Sequence, residues 1–203
     1  MNTRNNPVYV VTALLIGVMF GVFVAPTFIP SGGNVGMMRG RGGQFASGLI
    51  DKHFIEQMIP HHDGAIAMAK LALERSKRTE ILSLAEGIIE AQTLENIDMR
   101  TWYENWFGTY VPIDPGGFSM MGHGGMSMMN MGSDLERLRV AQDFDLEFIR
   151  QMIPHHEVAI MMAQMLAAGS GRKEMQTLAN QIITSQRREV EMMGIWYQQW
   201  SLN

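Results

Sequence analysis

The 203-residue chain contains no cysteine. That absence excludes a disulfide scaffold, a thiolate zinc site and a thiol nucleophile. An excess of positive charge is also missing: 16 Lys and Arg against 20 Asp and Glu leave a formal net charge of −4 at pH 7. The chain therefore carries no electrostatic footprint for nucleic acid. Strand signals are absent. So are a Ser/His/Asp arrangement, a phosphate-cradling loop and a clustered basic patch, and nothing specifies an enzyme. Disorder is excluded as well, because 46% of the residues are apolar, enough to build one domain plus extra segments. What stands in excess is methionine, 20 residues of 203. A thioether is an adaptable core filler or a soft-metal ligand, and composition leaves both open.

From Val8 to Ala25 run 18 residues without a charge. As a helix they span about 27 Å, close to the hydrocarbon thickness of a bilayer. Arg4 and the amino terminus precede them, which favours the N-terminus inside. The alternative is a cleaved signal peptide, whose apolar region is normally shorter. Bulky Phe23 and Pro26 flank the nearest cleavage candidate, after Ala25, and both argue against cutting. The expectation is a single-pass membrane anchor over residues 1–30 with the remainder outside the cytosol, periplasmic or at the cell surface. Outside the cytosol thiols oxidise or pair, so a thiol-free chain that handles a soft metal there uses thioether and imidazole.

An internal repeat organises the rest. Asp51–Trp106 aligns with Asp145–Trp200 at a constant offset of 94, without a gap, and 26 of 56 positions are identical. The densest stretch sets FIEQMIPHHDGAIAMA (Phe54–Ala69) against FIRQMIPHHEVAIMMA (Phe148–Ala163). Such self-similarity marks a duplication. Within each copy apolar residues recur in alternating steps of four and three, as in Phe54, Met58, His61, Ala65, Met68 and Ala72, which draws a seam along one helix face. With a short polar break around Ser76–Arg78, each copy reads as two antiparallel helices. The predicted fold is all-α, a four-helix bundle of two duplicated hairpins at 47–107 and 134–203, forming one domain. Two Gly-rich linkers are expected, at 31–46 and 108–133. The second contains SMMGHGGMSMMNMG, with Met120, Met121, His123, Met126, Met128, Met129 and Met131. Gly and Met in a solvated linker bury nothing, so this run is read as a weaker thioether metal site.

The seam carries polar residues that align between copies. The first helix contributes Met58, His61 and His62, repeated as Met152, His155 and His156; the second contributes Gln92, Glu95 and Met99, repeated as Gln186, Glu189 and Met193. Counting back from the turn near Lys77 places His61 opposite about residue 93, so each set lies within a turn. Buried Gln and Glu need partners or a cation. Imidazole with thioether narrows a metal toward Cu(I). A packing reading competes: Pro60 and Pro154 free the carbonyls of Glu56 and Arg150, which a neighbouring His can satisfy, and His61 can donate to Glu95. Asp63 and Glu157 follow the His pairs as orienters or as exposed acids. Trp102, Tyr103, Trp106 and their copies Trp196, Tyr197 and Trp200 close the bundle's end, and His53, without a counterpart, is surface.

The run QMIPHHDGAIAMA, followed by Q-x-x-E-x-x-x-M-x-x-W, resembles the family known as domain of unknown function 305, the CopM-like proteins. The resemblance covers about residues 47–202. It implies a ferritin-like four-helix domain, export from the cytosol and copper binding by Met and His. Carried over by motif, the family's positions fall on Met58, His61, His62, Met68, Gln92, Glu95 and Met99, and on Met152, His155, His156, Met162, Gln186, Glu189 and Met193. In the second copy Asp63-Gly64 becomes Glu157-Val158, a departure that distinguishes the two copies. The combined expectation is a membrane-anchored protein that binds Cu(I) or Ag(I) and sequesters it or passes it to a delivery partner. Two alternatives stand beside it. One is a ferritin-like oxidoreductase using Glu95 and Glu189 with another transition metal, although the Glu-x-x-His signature of di-iron bundles is missing, since Met58 and Met152 occupy its Glu positions. The other is a bundle whose polar network only specifies packing.

Overall fold

A computed structural model describes the backbone of residues 41–112 and 131–202, and the side chains of 48–112 and 134–202. The anchor expected over residues 1–30 and most of both expected linkers lie outside the described residues. Within them no helix is long and apolar enough to cross a membrane.

The period-3.6 seam produces four long helices. α1 (Arg41–Arg75) and α2 (Thr79–Phe107) form the first hairpin; α4 (Phe144–Gly169) and α5 (Lys173–Trp200) form the second. A short helix, α3 (Met131–Val140), precedes α4. No strand occurs among the described residues, so the fold is an all-α helical bundle. Pro60 and Pro154 sit inside α1 and α4 without ending them. Each hairpin turn spans three residues, and Glu80 and Glu174 lie in the first turns that follow, where a carboxylate suits the positive helix N-terminus. Gly108 ends α2 at φ 67°, its N–H bonded to the Glu104 carbonyl at 3.0 Å. Glycine enters that left-handed conformation without a Cβ penalty.

Two boundaries differ from the composition. α1 already begins at Arg41, inside the stretch expected to be a tether. α3 begins at Met131, at the end of the second expected linker, and is separate from α4. The break falls where Asp143 caps α4, its carboxylate accepting from the Leu146 N–H at 3.1 Å, a favoured N-cap arrangement. At the offset of 94, residues 41–46 correspond to 135–140. The same segment runs straight on into α1 in one copy and turns off as α3 in the other.

Two apolar clusters fill the bundle, and each draws on both hairpins. One joins Phe54, Ile55, Met58, Met99 and Tyr103 to Met162, Leu166, Met175 and Ile182. The other joins Met68, Ile81 and Ile88 to Phe148, Met152 and Met193. Neither hairpin therefore has a core of its own, and burial of the shared seam holds the two together.

Candidate metal centre

The duplicated HH pairs meet in the middle of the bundle. His61 on α1 and His155 on α4 are adjacent, ring centroids 3.9 Å apart and tilted by 50°. All four nitrogens of these two rings are buried without a hydrogen-bond partner among the described residues. Burial drives the His61 pKa down to about 3, helped by repulsion from His62 and His156 and opposed by the nearby His155 backbone. The His155 pKa is likewise pushed well below 6.5, by burial first and then by the neighbouring imidazoles. Both rings are neutral at pH 7 and keep a lone pair for a cation.

His62 and His156 turn the other way, as the 100° step between consecutive helical residues requires. Each reaches the glutamate of its own hairpin. His62 Nε2 lies 2.7 Å from Glu95 Oε2, and His156 Nε2 lies 2.6 Å from Glu189 Oε2. An ionised carboxylate only accepts, so in the hydrogen-bonded His156–Glu189 pair the ring proton sits on Nε2. The Nδ1 atoms of both rings remain buried and unpartnered. Carboxylate behind imidazole is the arrangement that orients a metal-binding histidine. Glu95 and Glu189, expected among the ligands, each lie against the imidazole of their own hairpin.

The methionines divide in a way the linear motif does not show. Met58 and Met99 pack with Met162 of the opposite copy. Met152 and Met193 pack with Met68 of the opposite copy. Each cluster thus holds thioethers from both hairpins, Met175 joining Met162 in the first. Gln92 and Gln186 are buried, and the Oε1 of each has no partner among the described residues. Asp63 faces outward, accepting from Asn96 Nδ2 at 2.9 Å and lying 3.7 Å from Arg100, and Glu157 is exposed. His53 is exposed too, bonded to Gln57. Met120, Met121, His123, Met126, Met128 and Met129 lie outside the described residues. Met131 is the first residue of α3.

Sequence reasoning missed a pair of reciprocal latches. Arg78, in the turn of the first hairpin, lies 3.3 Å from Asp145 and 4.1 Å over the Trp200 ring of the second. Arg172, in the turn of the second, lies 3.2 Å from Asp51 and 4.0 Å over the Trp106 ring of the first. The signal was the shared S-x-R-x-E of the two turns, Ser76–Glu80 and Ser170–Glu174, which read only as a polar break. The Tyr103 hydroxyl, donating to Glu56 at 2.5 Å, was missed for the same reason: its partner lies 47 residues away.

The donors suit a soft ion. Among the described residues no three His, Asp or Glu side chains form a cluster that holds a metal by themselves. An oxygen-rich centre of the di-iron kind would require such a cluster. Neutral imidazoles with unused lone pairs, in a core that also buries thioethers, favour Cu(I)-like cations.

Known proteins share the fold. The family model described as "Domain of unknown function (DUF305)" matches residues 51–197. The chain is similar to a structure of CopM in the Cu(II)-bound form, at 46% identity and a TM-score of 0.66, covering 74% of this chain and 97% of that one. It is also similar to CopM in the Cu(I)-bound form, at 44% identity and a TM-score of 0.64, covering 74% and 96%. A DUF305 fragment from Deinococcus radiodurans matches at 28% identity and a TM-score of 0.62, over 74% of this chain and 96% of the fragment. Among curated proteins none matches it. The chain belongs to the DUF305 family, as a CopM-like member.

Proposed function

We propose that this protein is a membrane-anchored, extracytoplasmic binder of Cu(I), and of Ag(I) as a chemically similar cation, that sequesters the metal or hands it to a partner. The observation that carries the reading is the His61–His155 pair, two buried neutral imidazoles whose ring nitrogens have no partner among the described residues. A buried polar atom without a partner costs about 1–3 kcal/mol, and a bound cation removes that cost. His62 and His156, oriented by Glu95 and Glu189, together with the two crossed Met groups, complete the donor set. CopM, the relative solved with Cu(I), Cu(II) and Ag bound, supports the choice of metal. In this reading the bundle is a ferritin-like scaffold, residues 8–25 tether it to a membrane, and the Met120–Met131 run is a weaker collector.

Anaerobic Cu(I) titration against a colorimetric chelator tests it. Replacing His61, His62, His155 and His156 by Ala removes tight binding. Unchanged affinity and stoichiometry in that variant would overturn the assignment, and would leave the polar network a packing device.

A further inference from the structure

A cavity of about 210 Å³ lies between α1 and α4 beneath α3. Its walls include Gly64 and Met68 of α1 and Pro154 and His155 of α4, and its outer edge includes Asp134 and Arg137 of α3. The side chains of Arg137 and Asp134 are 54% and 37% exposed, whereas His155 is 4% exposed. The cavity therefore leads from solvent to His155, whose ring lies against His61.

The duplication does not repeat its cover: α3 is a separate helix in the second copy alone. Val158, the counterpart of Gly64 in the second copy, lines the same cavity, while the counterpart of α3 is the first part of α1. Position 64 lies three residues after His61 and four before Met68, on the same helix line, and Gly64 lines the cavity, so a larger residue there narrows it. α3 is fastened over it by two means. Leu138 is fully buried, and Arg75 at the end of α1 donates to the Arg139 and Ala141 carbonyls. In the second copy the counterpart of Arg75 is Gly169, which packs against Ile50.

We infer that this cavity is the port through which a soft monovalent cation reaches His61 and His155, with α3 as its lid. The inference rests on the proposed metal reading and adds a route to it: both copies supply ligands, and exchange with solvent runs beneath α3. A port alters the barrier and leaves the end states alone, so its variants change uptake and release together.

Stopped-flow Cu(I) transfer between the chain and a chromophoric chelator, in both directions, reads those rates. Gly64→Val, which places the second copy's residue in the first, slows both directions about tenfold or more, with the Kd held within about threefold. Arg75→Met frees the lid: it speeds both directions and raises hydrogen exchange of the 134–140 amides. Unchanged rates in a Gly64→Val variant that melts like the wild type would overturn the port, and so would a weakened Kd with an unchanged uptake rate. Faster exchange in α3 without faster transfer would overturn the lid. If Gly64→Val does not fold, Gly64→Ala with Arg75→Met decides it, because unchanged rates in both exclude the port. A wild-type chain that takes up no Cu(I) would instead fail the metal reading, and the port would fall with it.

Discussion

His61 and His155 are the residues at which sequence and structure bear most directly on one another. An MIPHH motif states that two histidines are adjacent; it does not state which one faces the partner hairpin. Helix phase alone allowed His61 to meet Glu95, and the structure gives that role to His62. What remained hidden was the contact across the duplication, because nothing within one copy encodes what its twin presents. The consequence is measurable in the metal-free protein. In the unfolded chain each histidine titrates near pH 6.5, whereas burial holds His61 at about 3 when folded and pushes His155 in the same direction. Between those values the unfolded chain binds more protons, so stability is full above pH 6.5 and falls as the pH drops below it. Each ring contributes a slope of up to about 1.4 kcal/mol per pH unit. Urea unfolding from pH 7 to pH 4 should therefore be steeper in pH for the wild type than for His61→Asn/His155→Asn. Parallel curves would mean that the two rings titrate normally in the fold.

At the scale of elements, the long helices were legible because a 3.6-residue period over some 25 positions is a strong signal, and 26 identities in 56 aligned residues make each copy a check on the other. α3 was not legible. Its ten residues, MGSDLERLRV, are too few to show a period, and they follow a Gly- and Met-rich run that reads as linker. Only Asp143 marked the break. The turn latches were hidden for a related reason, since an arginine in a three-residue turn reads as solvent-facing. The two latches differ in strength. The Asp51 side chain is fully buried against a 37% exposed Arg172, while Asp145 is 15% and Arg78 45% exposed. Arg172→Ala leaves a buried carboxylate without its cation and should cost about 3 kcal/mol. Arg78→Ala breaks a more hydrated pair and should cost about 1 kcal/mol. Chemical denaturation of both variants gives the comparison. Equal losses would show that the difference in burial carries no energetic weight.

For the whole molecule, the duplication and the shared core have a joint consequence. Since neither hairpin owns a core, and since His61 and His155 come from different hairpins, an ion held by both rings ties the two halves together. Two arrangements are then distinguishable by melting alone. A shared central site loses its metal-dependent stabilisation when either ring is removed. Two independent sites, one per hairpin, would each keep working when the other is damaged. A ligand present at about 100 times its Kd stabilises the native state by about 2.7 kcal/mol. For a chain of this size that raises the melting temperature by about 5–10 °C. His61→Ala and His155→Ala should each abolish that shift, measured with and without Cu(I) under argon within the same variant, so that any cost of the substitution itself cancels. A shift that survives at about half size in both single variants would assign one self-sufficient site to each repeat. It would also move the functional unit of this family from the paired hairpins to the single hairpin.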